Sequence, residues 1–279
     1  MTDPKHARDT DNGRYYQDPK SGALYMSVTN ALNTLNKPAL APAAAKVTAE
    51  YFAEHLPTAV KASRNPAAMD EFIKAAKAEH KTVWETRRDL GSRVHALAEA
   101  HVLGTPIEAD AEAAPFVDQY ALFLKEFGVN PSDDIDAVEV TVLDRTHRYG
   151  GTADLWMRLT NLPAGQPDGL WLVDIKTSLT KSASTVYQDH PLQLAALRYA
   201  ELALGPDDSE HPIPEFAGAA ILNLRQHAYG FVPVPATREV HAGFLGLLGA
   251  SYVLHGLDMK PCKPLNTPTR KPRTRKAAA

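Results

Sequence analysis

Three stretches in the middle of the chain alternate between apolar and polar positions: "AVEVTVLD" (137–144), "TADLWMRL" (152–159) and "LWLVDIKTS" (170–178). A period of two marks strands that turn one face to a core. The links between them, "RTHRYGG" and a Pro- and Gly-rich segment at 161–169, are short, which predicts an antiparallel three-stranded meander.

On either side of the meander the apolar period lengthens to that of a helix. Asn65 followed by Pro66 is a cap with proline in the first turn, and it opens a helix through "AAMDEFIKAAKAEH". A second helix is predicted over 82–103, stopped by Gly104, and a third over about 112–127. Beyond the meander, Pro191 starts "PLQLAALRYAELAL", which Gly205 ends; "FAGAAILNL" and "GFVPV" read as strands, and a helix follows from about 238 to 257. The pattern predicts an α/β fold, a mixed sheet flanked by helices. It forms one domain over 21–258, with a helical part at 21–130 and a sheet core at 131–258. Residues 1–20 read as disordered.

The alternation also assigns faces. On the third strand Trp171, Val173 and Ile175 share one face, while Asp174 and Lys176 share the other. On the first, Glu139 is expected to face away from Val138, Val140 and Val142. The second strand opens with "YGGTAD", where two glycines let a chain or ligand approach closely and Asp154 follows at once. Cross-strand neighbours of one face lie within reach of each other, so Glu139, Asp154 and Asp174 can form one carboxylate cluster beside Lys176. Such a cluster repels itself unless a cation neutralises it. A hard divalent ion such as magnesium prefers those oxygens, and it makes a nucleophile from water near neutral pH. A neighbouring lysine can orient that water or stabilise charge on a phosphoryl oxygen. The plainer alternative is that Asp-x-Lys is a solvent-facing pair on a half-buried sheet.

Charge and cysteine usage narrow the setting. Residues 260–279 carry seven lysines and arginines and no acid, so the overall −3 leaves −10 on the rest of the chain. The 259–279 tail, Pro-spaced and without hydrophobic periodicity, is expected to be disordered; it either holds phosphate backbones through counterion release or merely solubilises. No apolar run is long enough to span a bilayer, so no membrane partner is expected, and the polar, acidic start does not read as a signal peptide. Cys262 is the single cysteine. It excludes an internal disulfide and a four-cysteine zinc or iron–sulfur site, which points to a reducing, cytoplasmic compartment.

"GGTADLW" followed by "WLVDIKTS" resembles the active-site core of the PD-(D/E)xK nuclease superfamily, and more narrowly its RecB-like branch of CRISPR-associated and phage exonucleases. That branch has a helical Gly-x-x-x-His ahead of the core, matched by Gly91 and His95 in "GSRVH". It also has a glutamine-led helix after the lysine strand, matched by Gln193 in "HPLQLAALRYA". The motifs run in family order over 91–199, and the opening "YYQDPKSGALYMSVTNALNTLNKPAL" is similar to phage-type members. The resemblance implies a restriction-endonuclease-like core: a helix, a three-stranded meander, a helix and a further strand, with an N-terminal helical part. It implies that Asp154, Asp174 and the backbone carbonyl of Ile175 bind Mg2+ or Mn2+, that Lys176 serves the attacking water, and that His95 ligates the metal or orients its water. Glu139 stands where members often have an acid. Two departures are visible: Leu197 replaces a tyrosine common four residues after the glutamine, and one cysteine cannot hold the iron–sulfur cluster of many CRISPR-associated members.

From the residues alone His95 lies at the edge of the stripe of Val94, Leu97 and His101, with Gly91 and Glu99 one turn away. It is either a half-buried histidine bonded to Glu99 or a ligand, and Gly91 gives clearance beside it. Gln193 lies in a first helical turn, where it either meets a phosphate or caps the helix. Arg87, Arg88 and Arg93 are candidates for a local positive groove. The expectation is a Mg2+-dependent DNA nuclease, an exonuclease of recombination, replication or end processing. It would be bacterial or phage-encoded and would work with recombination or replication partners. The alternatives are a non-cleaving nucleic-acid-binding module of the same fold, or a metal hydrolase acting on RNA or another phosphoester.

Overall fold

The computed structural model describes residues 4–106, 108–163 and 165–257; the basic tail expected over 259–279 lies outside them. In chain order the elements are β1 (Ala7–Thr10), β2 (Gly13–Gln17), β3 (Leu24–Ser27), α1 (Val28–Leu32), α2 (Leu40–Glu54), α3 (Leu56–Ala62), α4 (Pro66–Leu103), α5 (Ala114–Glu126) and α6 (Pro131–Asp134). There follow β4 (Ile135–Asp144), β5 (Tyr149–Leu159), β6 (Gly169–Thr177), α7 (Asp189–Arg198), β7 (Leu202–Leu204), β8 (Glu210–Pro212), β9 (Gly218–Leu224), β10 (Tyr229–Pro233) and α8 (Arg238–Gly256). Together they make a mixed α/β fold around one ten-stranded sheet.

The meander forms as its alternation predicts. β4 and β6 both pair antiparallel with β5, and β9 then adds parallel to β6. One apolar face, with Leu155, Met157, Trp171, Val173 and Ile175, packs under α4 and α5. The other, with Trp156, Leu170, Leu172 and Ile221, packs with α1, α7 and α8.

Three expectations are corrected. Residues 1–20 are not disordered where described: β1 and β2 form a hairpin that joins the sheet through β3, and Tyr16, Tyr25 and Met26 are buried. Charged side chains on the outward positions of this edge hide its strand pattern. The helices predicted at 66–80 and 82–103 are one 38-residue helix, α4. Its apolar stripe breaks because the first half packs Phe72 and Met69 against the α2–α3 layer, while Leu90, Val94 and Ala98 enter the main core. With no glycine or proline between Pro66 and Gly91, the backbone has no reason to stop. Finally, the helix opening near Pro191 ends at Arg198 instead of Gly205, and Leu202–Leu204 become β7, paired with the free edge of β4.

The N-terminal hairpin is held by a buried ion pair. Asp18, 1% exposed, accepts from Arg145 Nε at 3.1 Å and Nη2 at 2.9 Å, with Ser21 Oγ donating at 2.7 Å. The Arg145 hydrogen bonds hold the Asp18 carboxyl well below the usual carboxylate range. Arg145→Ala leaves that carboxylate buried and unpaired, and is expected to destabilise the fold by about 3 kcal/mol. Because the folded pKa is depressed, the stability gap between wild type and variant is full above the unfolded value of about 4 and closes as pH falls below it. Urea unfolding at pH 7 and pH 3 checks both statements; an equal gap at the two values would refute the assignment.

Candidate active site

The site lies where the sheet forks. One edge of β5 pairs with β3 at Tyr149 and Gly150, and with β6 from Leu155 to Leu159. Positions 151–154 between them have no strand neighbour on that side. Gly151 lets α1 and α7 close over the fork, since a Cβ there would sit 2.7 Å from Leu197 Cδ2 and 3.2 Å from Val28 Cγ2. The Gly-Gly pair thus serves the approach of chain rather than ligand. Gly91 acts similarly: a Cβ there would lie 3.2 Å from Thr177 Oγ1, so its clearance lets α4 close on the end of β6.

At the fork the ladder is replaced by side chains. Ile175 N–H donates to Asp154 Oδ2 at 2.7 Å, and the Ile175 carbonyl accepts from His95 Nε2 at 2.9 Å. Opposite, Glu139 has φ +51°, and the flanking pairs Val138–Leu155 and Val140–Ala153 set it across from Asp154. The strands change face at this point. Val138 and Leu155 pack under α4, whereas Val140 and Ala153 pack on the side of α7. The regular alternation expected around Glu139 therefore fails, and this break lets acids from the sheet meet a histidine from α4.

A carbonyl can only accept, so the hydrogen of a neutral His95 ring sits on Nε2 and Nδ1 carries the lone pair. That buried Nδ1 has no hydrogen-bond partner. It lies 3.6 Å from Asp154 Oδ2 and 3.8 Å from Glu139 Oε1. Three electron-rich atoms facing each other need a positive charge among them. In the protein alone a proton on His95 supplies it: burial lowers its affinity for that proton, but the Asp154 and Glu139 carboxylates raise it by more. Burial above all also pushes the Asp154 carboxyl up.

A cation fits the same place. Ligand atoms of His95, Glu139 and Asp154 lie within 4.8 Å of one another. Ligands about 2.1 Å from one ion can be up to about 4.2 Å apart, so a small contraction seats it. One nitrogen, two carboxylates and no thiolate suit magnesium or manganese.

Asp174, expected as a ligand, stands outside this group. Lys176 Nζ lies 2.7 Å from its Oδ2 and donates to Gln193 Oε1 at 3.3 Å, while Gln193 Nε2 donates to Asp174 Oδ1 at 2.8 Å. Burial lowers the lysine's affinity for its proton, but Asp174 and Asp154 more than restore it, so the net shift is upward and Lys176 is an ammonium. Gln193 is thus committed to the acid and the lysine rather than to a phosphate.

His95, Glu139, Asp154, Asp174, Ile175, Lys176 and Gln193 all line one cleft of about 450 Å³. Its lining includes Arg87 and Arg88, whose side chains make no ion pair or hydrogen bond with other described residues. Arg93 does not belong there. Its guanidinium donates to Asp89 at 3.0 Å, Asp110 at 2.5 Å and Glu112 at 2.6 Å, so the DNA contact expected of it is corrected to a structural tie between α4 and the loop before α5. Tyr16 and Ser27, which also line the cleft, went unforeseen. The turn-like "DPKSG" between "GRYYQ" and "LYMS" was their available signal.

Neither a scan against protein-family models nor a search of curated proteins finds a match to this chain. The cleft brings together three side chains that could hold a metal ion, an ammonium, and two guanidinium groups without a carboxylate partner among the described residues.

Proposed function

We propose that the protein is a divalent-metal-dependent nuclease that hydrolyses phosphodiester bonds in DNA, acting as an exonuclease. One observation carries the reading: the unpartnered Nδ1 of His95 faces two carboxylates at ion-binding distance, in a cleft that also holds Lys176. The element order α4, β4–β6, α7, β9 supports a restriction-endonuclease-like core for it. A bound Mg2+ or Mn2+ would neutralise the carboxylates and supply Lewis acidity toward a phosphoryl oxygen. His95, Glu139 and Asp154 would hold that charge in place. Lys176, fixed by Asp174 and Gln193, donates from its ammonium to the phosphoryl oxygen on which charge grows. Arg87 and Arg88 grip flanking phosphates of the strand.

Purified protein incubated with end-labelled single- and double-stranded DNA is expected to give a ladder that starts at one end with Mg2+ or Mn2+ and nothing with EDTA. RNA in a parallel lane separates the phosphoester alternatives, and internal fragments would mean an endonuclease. No cleavage by metal-loaded protein would sink the reading. In DNA binding with Ca2+ as the supporting ion, the double variant Arg87→Ala/Arg88→Ala is expected to flatten the plot of log affinity against log salt by about two units. Fluorescence anisotropy measures this.

A further inference from the structure

Residues 178–188 form neither helix nor strand, yet they join Lys176 to the helix that carries Gln193. Their backbone is held by a residue just beyond β9. Arg225 Nε donates to the Lys181 carbonyl at 2.7 Å and Nη2 to the Ser182 carbonyl at 2.9 Å. Nη1 donates to the carbonyls of Leu224 at 2.7 Å and of Lys176 itself at 3.1 Å. Nη2 also reaches Asn223 Oδ1 at 3.0 Å, and Asn223 Nδ2 donates to the Thr185 carbonyl at 3.0 Å. On β10, Gly230 receives the loop from the other side: a Cβ there would lie 2.2 Å from the Ala183 carbonyl oxygen.

Arg225 is 9% exposed, and no carboxylate pairs with its guanidinium among the described residues. A buried cation without a counter-ion is costly, and an apolar side chain would avoid that cost. What it gains is specific. A planar fork of five donors meets carbonyls from the end of β6, the end of β9 and the loop at once, which neither a lysine nor an aliphatic chain can do.

We infer that Arg225, with Asn223, is a positioning residue: it clamps the 178–188 loop to the sheet and so fixes Lys176 and Gln193 relative to the His95–Glu139–Asp154 group. The consequence for Lys176 rests on the proposed nuclease reading; the clamp does not. Its chemical reason is that a donor displaced by about 1 Å from its working place can lose a hundredfold in rate.

The Lys181–Ser182 bond, whose two flanking carbonyls Arg225 holds, is a trypsin site with an exposed lysine. In Arg225→Ala, native-state trypsin is expected to release the peptide ending at Lys181 at least tenfold faster than in wild type, followed by mass spectrometry. Cooperative melting and Mn2+ affinity should stay close to wild type, because the metal group is untouched. On DNA, kcat is expected to fall at least tenfold with KM within threefold, and Arg225→Lys to recover little. Gly230→Ala, which pushes on Ala183 while leaving Arg225 intact, is expected to reproduce the trypsin and kcat changes, and it decides the matter if Arg225→Ala does not fold. Unchanged trypsin cutting in the folded variants would overturn the clamp. Faster cutting with unchanged kcat would overturn the positioning role. A wild-type chain that cuts no nucleic acid would refute the nuclease reading instead, with the trypsin comparison still deciding the clamp.

Discussion

Lys176→Met is expected to lower kcat on DNA by about 10²–10³-fold while Mn2+ affinity stays near wild type, and to lower stability because Asp174 is left buried without its cation. The size is that of removing one preorganised donor from the place where charge develops. Methionine keeps the length and apolar stem of the lysine but carries no charge. The ammonium contacts Asp174 and Gln193, not His95, Glu139 or Asp154, so the cation group should survive its loss. Asp174 and Asp154 raise the lysine's affinity for its proton by more than burial lowers it, so the role proposed for Lys176 is that of a donor and not of a base. Steady-state kinetics paired with calorimetric Mn2+ titration tests this. Loss of metal binding together with activity would show that Lys176 instead holds the site together.

Asp154→Asn is expected to have the larger effect: loss of detectable Mn2+ binding and at least a thousandfold loss of cleavage, with no loss of stability in EDTA. Asparagine can still accept from Ile175 N–H through its amide oxygen, so the strand fork keeps its tie. It removes a carboxylate that burial disfavours as an anion, which offsets the lost attraction to a protonated His95 in the metal-free protein. Wild type at 100 times its Kd for Mn2+ should gain about 2.7 kcal/mol of stability, and the variant none. Thermal melts with and without Mn2+ measure both. A variant less stable than wild type in EDTA would mean that Asp154 and protonated His95 form a structural ion pair, not a cation site.

Much of this arrangement was legible along the chain because it rests on local rules. The alternation of 137–144, 152–159 and 170–178 predicts β4, β5 and β6, and Asn65-Pro66 and Gly104 mark both ends of α4. Asp174 and Lys176 do share a face, and the pair does meet the glutamine of the following helix. The errors came where local pattern and tertiary context disagree. Leu202 and Leu204 suit a helix stripe and a strand equally well, and only the open edge of β4 selects the strand. The first strands carry too many charges to look ordered until a sheet edge accepts them.

The site divides in the same way. Residue types at 95, 139, 154, 174 and 176 were readable as carboxylate, imidazole and ammonium chemistry. Which of them stand together was not, because that depends on a fork. With β3 and β6 sharing one edge of β5, the 151–154 gap admits Asp154 and His95 to the backbone of Ile175. It also turns Glu139 toward them and leaves Asp174 to Lys176 and Gln193. Periodicity and capping act between neighbours in the chain, so the sequence alone determined the elements and the chemical inventory. Sharing a strand edge is a contest among segments far apart in the chain, so the tertiary structure alone decided which acids stand with His95.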